Sequence, residues 1–397
     1  MKVYTVGGLV GLGHGATHWI IGAFYFLLPF IADDLNLSYI EAGAFATIFQ
    51  IASFSANIIS GPVVDMTGRR VLWQAASLLI GTAALFFVSE AAGYVGLVIA
   101  MVFIGATNNL WHPAAISYLS NRFRDQRGLA LSLHALGANI GDAVAPLLLG
   151  PVLLIITWRE TAAWASLPPV IVAIALVLFL KRSQKQEAKS ATTPKESKVS
   201  GSDYIAGLKA LLKNKLVLIL CVMSGFRNMA QQGLLVFLPL YLLNDMQLSP
   251  EMMGLALFAF QGAGIMAAPI AGGWSDKIGR RPVVMSGLVL TTVILLGLTL
   301  LNNPIAFVIG ISIMGFGLFA IRPVVHSWLM DMTPDEMGGS ATSLMFGIQS
   351  LLAMVSPIIG GYLADEYGLI SAFYFLGGAM LIANVIVMIL PNEKPAN

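Results

Sequence analysis

All five histidines of this 397-residue chain, together with Asp142, Arg227 and Arg322, stand inside long apolar stretches. On insertion scales an ionisable side chain at the middle of a membrane helix costs about 2.5–3.5 kcal/mol, so such residues are functional candidates by default. His14 and His18 are four apart and share one helix face. Imidazole titrates near neutral pH, which suits proton exchange or anion binding. The structural reading of the pair is packing, with a ring N–H on a neighbouring carbonyl. Asp142 is the one acidic residue deep in any such stretch. It can carry a coupling proton, or it can pair with Arg227 or with a histidine. With His134, these residues form the proton-coupling set His14, His18, Asp142 and His134.

A second set has the chemistry of substrate contact. A guanidinium such as that of Arg227, placed near a bilayer midplane, is a bidentate partner for a carboxylate or phosphonate. Gln231 shares its face. Arg322 and His326 share a face of a later stretch, close enough to the helix end to snorkel. Asn108, Asn109 and His112 put three polar groups on one helix, and Gln50, Gln261 and Tyr25 complete the candidates. Glutamines within membrane helices also serve as interhelical glue. Enzyme signatures are missing: no Walker loop, no dinucleotide glycine motif and no metal-ligand cluster with Cys, and His14-x-x-x-His18 lacks the glutamate of a zinc protease. No enzyme activity, metal or cofactor is expected, and the energy source is expected to be a proton gradient.

The elements that must position these groups are membrane helices. The chain is 57% hydrophobic and only 11% charged, and its mean hydropathy is +0.82; soluble domains carry about 25% charged residues. Twelve apolar runs are long enough to span a bilayer, at roughly 5–32, 39–60, 71–89, 94–120, 128–152, 158–181, 215–243, 250–272, 283–301, 304–330, 339–363 and 369–390. The first reads as a retained span, not a cleaved signal. The single Cys221 excludes an intrachain disulfide, and a net charge of +2 gives no reason to expect nucleic acid. Lys2, Arg69, Arg70, Arg122, Arg124, Arg127, Lys277, Arg280, Arg281 and Lys394 fall on one side of the bilayer, with the many lysines of 182–214, whereas the opposite loops hold Arg159 among acidic residues. The positive-inside rule then places both termini and 182–214 in the cytoplasm of a multi-pass protein of the cell (inner or plasma) membrane. Segment 182–214 is a polar linker, within which 203–213 forms either a short surface helix or an extension of the next span.

The sequence Gly61-Pro62-Val63-Val64-Asp65-Met66-Thr67-Gly68-Arg69-Arg70 returns half a chain later as Gly272-Gly273-Trp274-Ser275-Asp276-Lys277-Ile278-Gly279-Arg280-Arg281. Both read G-x-x-x-D-x-x-G-R-R and each joins two apolar runs. The same register carries Asp34 to Asp245, Gln50 to Gln261, Ser132-Leu133 to Ser343-Leu344 and Pro146 to Pro357, and with one gap Pro29 to Pro239. The expected architecture is an all-α membrane protein of two pseudo-symmetric six-helix bundles, 1–181 and 215–397, related as parallel repeats.

On these residues the chain resembles the major facilitator superfamily, whose signature loop follows span two. The resemblance implies that Asp65 and Asp276 act as gate latches at the starts of spans eleven and five, with Gly68, Arg69, Arg70, Gly279, Arg280 and Arg281 shaping the loops. Span five, Gly137-x-x-x-Gly141-x-x-x-Ala145-Pro146-x-x-Leu149-Gly150, is similar to the superfamily's antiporter motif, with Ala145 and Leu149 replacing two of its glycines; Gly141 and Pro146 join the gating set on this ground. Asn108-Asn109-Leu110-Trp111-His112-Pro113, Arg127-Gly128-Leu129-Ala130, and His14 and His18 ahead of Pro29 resemble the fosmidomycin-resistance type of exporter. Met101 stands where proton-coupled members often carry an arginine, which moves weight to His14, His18 and Asp142. The implied function is a monomeric secondary transporter working by alternating access, with proton-coupled efflux of a small anionic or amphiphilic compound. Proton-coupled uptake of an organic acid, and a non-transporting membrane sensor or assembly protein of the same fold, stay open.

Overall fold

The computed structural model describes residues 2–187, 209, 211–301, 303–333 and 337–392; the side chains of 62, 65, 124, 181–187 and 339 lie outside the description. Among the described residues all regular structure is helical: α1 Val3–Asp34, α2 Tyr39–Thr67, α3 Arg70–Glu90, α4 Tyr94–Arg122, α5 Arg127–Val152, α6 Trp158–Ala165, α7 Leu167–Glu187, α8 Lys215–Asn244, α9 Pro250–Ile278, α10 Arg280–Leu298, α11 Pro304–Asp331, α12 Gly338–Tyr367 and α13 Leu369–Val387. Eleven stretches are long and apolar enough to cross a membrane, α6 and α7 together supplying one of them. The remaining expected span, 215–243, is a continuous helix, α8. Arg227, Asn228, Gln231 and Gln232 interrupt its apolar run at the centre.

Local chemistry sets the helix ends. Ser38 and Glu41 close a reciprocal capping box at the start of α2, and Thr157 and Glu160 do the same for α6. Each box satisfies two backbone N–H groups that a helix start leaves bare. Asn303 accepts from the Ala306 N–H, with Pro304 behind it at the first helical position. The sixth span breaks at Ser166, just before Pro168 and Pro169, which have no N–H to continue the ladder from α6. Helix α7 runs on to Glu187, past the expected boundary at 181; most of the linker 182–214 and Lys394 lie outside the described residues, and of the expected helix 203–213 only 209 and 211–213 are described, as helix, ending at Asn214 before α8 begins.

Both repeated loops turn on a glycine with positive φ. Gly68 ends α2 with φ of 62°, and Gly279 separates α9 from α10 with φ of 99°. Both values lie in the region that only glycine enters without strain. The chain groups into two compact units: Met1–Thr192 with Leu242–Gln261, and Thr193–Tyr241 with Gly262–Asn397.

Candidate functional site

In the first unit α1 and α5 touch through their backbones. Gly7, Gly11 and Gly15 recur at four-residue spacing along α1 and meet Leu133, Gly137 and Gly141 on α5. A Cβ on Gly11 would lie 2.5 Å from the Leu133 carbonyl oxygen, and one on Gly15 2.8 Å from that of Gly137. On Gly137 and Gly141 a Cβ would overlap the carbonyls of Gly11 and Gly15. Small residues at every fourth position are what permits such an approach.

The side chains flanking this seam are therefore driven together. The rings of His14 and His134 stack at 3.8 Å with 14° between their planes. His14 Nδ1 lies 2.7 Å from the His134 backbone carbonyl. A carbonyl only accepts, so Nδ1 carries the proton and Nε2 holds a lone pair; this Nε2 is buried with no hydrogen-bond partner among the described residues. One turn along, His18 Nδ1 lies 3.0 Å from both oxygens of Asp142. This pair is partly open, with side chains 20% and 26% exposed. His18 and His112 both meet His14 edge-on, at 4.8 and 4.9 Å. Trp111, fully buried, donates its indole N–H to His134 Nε2 at 3.1 Å. The result is one connected group from α1, α4 and α5: Asp142, His18, His14, His134, His112 and Trp111. Ligand nitrogens of His14, His112 and His134 all fall within 4.8 Å of one another. An apolar groove of 330 Å³ opens beside the seam, bordered by Leu12, Trp19, Ile140, Pro168 and Val172.

Of the partners left open for Asp142, the structure selects His18. Among the other candidates of this unit, Asn109 turns to α2, donating to the Ser53 carbonyl at 2.8 Å and hydroxyl at 2.5 Å; this is helix-to-helix binding. Asn108 keeps a buried Oδ1 without a hydrogen bond. Tyr25 is buried edge-to-face on Phe24 at 5.9 Å, a core position. Gln50 and Gln261 are half-buried.

In the second unit Arg227 is buried, and its Nη2 donates to the Leu318 carbonyl at 2.8 Å while its Nε has no partner among the described residues. The acceptor lies next to Phe319, whose carbonyl Pro323 deprives of its helical donor. Gln231 likewise has a buried Oε1 without a partner. Asn228 donates weakly to the Gln349 carbonyl at 3.4 Å, and Gln349 donates to the Ser224 hydroxyl at 2.5 Å. Arg322 is exposed, and His326 sits edge-on to Phe346 at 5.3 Å.

The two signature loops differ in what can be described. The Asp65 side chain lies outside the description. In the second copy Arg280 bonds Asp276, bonds Ser275 at 2.7 Å, and reaches Asp331 at 2.9 Å. Arg281 donates to the Met388 carbonyl at 2.8 Å, and in the first copy Arg70 donates to the Ser117 hydroxyl at 3.0 Å.

The spacing of four that Gly7, Gly11 and Gly15 keep on α1 is the sequence signal of this seam. Trp111 as the partner of His134 had no sequence signal, because the two belong to different helices.

The Major Facilitator Superfamily matches the sequence over residues 10–244 and 220–397. A hexuronate transporter of Bacillus subtilis (strain 168) is 23% identical, the match covering 91% of this chain and 88% of the relative. A fosmidomycin resistance protein of Escherichia coli (strain K12) is 22% identical over 98% of this chain and 93% of its own length. A bacterial homolog of the human lysosomal transporter Spinster, solved inward-facing and unoccupied, superposes with a TM-score of 0.77 at 15% identity, covering 98% of this chain and 95% of that one; this likeness is one of fold.

Proposed function

Since the chain belongs to the Major Facilitator Superfamily, a family of multi-pass membrane transporters, we propose that it exports a small anionic or amphiphilic compound in exchange for protons, by alternating access of two halves around a central site. The observation that carries this reading is the His18–Asp142 pair at 3.0 Å, part-open and linked ring to ring with His14, His134 and His112. A carboxylate and an imidazole in contact exchange a proton without leaving a bare charge in the membrane. His14, His18, Asp142 and His134 are the proton-coupling residues of this reading. Arg227, with an Nε that no group among the described residues satisfies, supplies the attraction for the anion, assisted by Gln231, Arg322, Gln50, Gln261, Asn108 and His112; Asn109, bonded to Ser53, and Tyr25, in the core, are left out of this set. The apolar groove beside the seam suits the hydrocarbon part of an amphiphile.

Asp65 and Asp276 act as the latches of the two gates, with Gly68, Arg69, Arg70, Gly279, Arg280 and Arg281 holding their loops, and Gly141 and Pro146 letting α5 bend. The Arg280 bonds to Asp276 and Asp331 support this for the second copy. The protein works as a monomer in the cell membrane with both termini in the cytoplasm, and it needs no cofactor besides the proton gradient.

The relatives support the anionic class: hexuronate is a carboxylate and fosmidomycin a phosphonate. They also keep a second reading in view, proton-coupled uptake of an organic acid, favoured by the relative named for hexuronate transport. Vesicles containing the purified protein and an imposed pH gradient distinguish the two. Movement of a carboxylate or phosphonate against the proton flow supports export. Accumulation in the direction of proton flow overturns export and supports uptake, and no movement or binding of any such compound overturns both.

A further inference from the structure

The histidine cluster has the composition and polarity of a metal site. We propose that His14, His112 and His134 bind one divalent first-row transition-metal ion of the imidazole-preferring kind, such as Zn²⁺ or Co²⁺. Three observations converge. Ligand nitrogens of the three residues lie within 4.8 Å of one another. His14, 5% exposed, gives its Nδ1 proton to a backbone carbonyl and leaves a buried Nε2 lone pair without a donor. A metal-bound histidine is held in this way, its second nitrogen bonded to a carbonyl that fixes the tautomer and the ring plane. Third, the His18 ring meets the His14 ring edge-on at 4.8 Å and is itself held by the Asp142 carboxylate at 3.0 Å, so a negative charge stands one side chain beyond the cluster to offset cationic charge in an apolar interior.

Nitrogen ligands bind zinc at about 2.0–2.1 Å, which puts neighbouring nitrogens of a tetrahedron about 3.3 Å apart. Binding therefore draws the rings closer and unstacks His134 from His14. His134 exchanges the Trp111 indole N–H at 3.1 Å for the metal. A neutral three-imidazole set selects Zn²⁺, Co²⁺, Ni²⁺ or Cu²⁺ over Mg²⁺ or Ca²⁺, which require oxygen ligands. The fourth position stays open, as it does in three-histidine sites. The ion ties α1, α4 and α5 together and occupies imidazoles that otherwise take protons, so on the transport reading it inhibits pH-driven movement; binding itself does not depend on that reading.

The test uses full-length protein in lipid nanodiscs, purified through a histidine-free tag and stripped of metal. Titration with Co²⁺ is followed by its visible ligand-field absorption, and bound metal is counted after desalting. One Co²⁺ per chain with the intense bands of a tetrahedral nitrogen site, displaced by Zn²⁺ and not by Mg²⁺, is expected. His14→Gln and His112→Gln each weaken binding at least tenfold, while His326→Gln in the second unit does not. Wild-type protein that retains no Co²⁺, or shows only the weak bands of six-coordinate surface carboxylates, overturns the proposal without requiring any variant to fold. Unchanged affinity in both folded variants does so too. Arg227→Ala in the second unit separates this reading from the transport one: it weakens transport of anionic compounds and leaves Co²⁺ affinity unchanged, so either property can fail alone.

Discussion

The same helix pair is built twice in this chain and packed in two ways. In the register that carries Pro29 to Pro239 and Pro146 to Pro357, His14, Gly15 and His18 of α1 correspond to Ser224, Gly225 and Asn228 of α8. Gly137, Gly141 and Asp142 of α5 correspond to Ile348, Leu352 and Ala353 of α12. The first pair is joined backbone to backbone and carries ionisable groups in contact. The second keeps its helices apart with side chains, since a Cβ on Gly225 would meet the Leu352 side chain at 2.6 Å. Its polar bonds are neutral, from Gln349 to Ser224 and from Asn228 to the Gln349 carbonyl. A histidine–carboxylate pair and close backbone approach thus occur together in one unit, while the other offers a buried cation, Arg227, held by one carbonyl. The duplicated frame is shared; the division of labour lies in which positions lost their side chains and which gained charge.

The sharpest way to break this contrast is Asp142→Asn, which leaves His18 an amide and gives the first unit the neutral character of the second. Proteoliposomes are expected to lose pH-driven transport entirely while the protein still purifies as a single species; loss of folding instead assigns Asp142 to structure. Arg227→Ala attacks the other side. A charge-assisted hydrogen bond contributes about 1.5–3 kcal/mol, so binding of anionic compounds should weaken about tenfold or more, measured by titration, with neutral compounds affected less. Equal loss for both removes the anion argument. Packing is compared by Gly137→Ala and Gly225→Ala. The first forces a methyl group onto a carbonyl and should cost about 1–3 kcal/mol; the second meets the movable end of Leu352 and should cost less than about 1 kcal/mol. Thermal unfolding in detergent ranks them, and equal shifts deny the seam its special status. Trp111→Phe leaves His134 Nε2 without its donor and should lower stability by about 1 kcal/mol, with a change in the pH profile of transport as its functional trace.

Much of this was readable beforehand, for reasons that separate local from distant information. Runs of apolar residues dictate membrane helices directly, and the capping boxes at Ser38 and Thr157 and the glycines at 68 and 279 mark their ends in the sequence itself. His14 and His18 share a face by helical spacing alone. That His112 and His134 join them depends on how α4 and α5 approach α1, which no pattern within a single helix specifies. Asp142 had two physically sensible partners, and no pattern within α5 distinguishes a histidine 124 positions earlier from Arg227 later in the chain. Arg227 bonds a backbone carbonyl, an acceptor that every residue possesses and that no side-chain motif can announce.

The glycine seam also governs how this chain can drift. Where a core is filled by side chains, a lost methyl at one position is recovered by a gain at another, and many sequences fit one shape. Along α1 and α5 there is no volume to trade, because Gly11, Gly15, Gly137 and Gly141 already present bare backbone. A single added carbon on either helix becomes a displacement of the histidines on both. The residues with the least chemistry of their own are thus the ones whose replacement the imidazoles feel most, and homologues that keep the cluster should be recognisable by unvarying glycines on two helices more than a hundred residues apart.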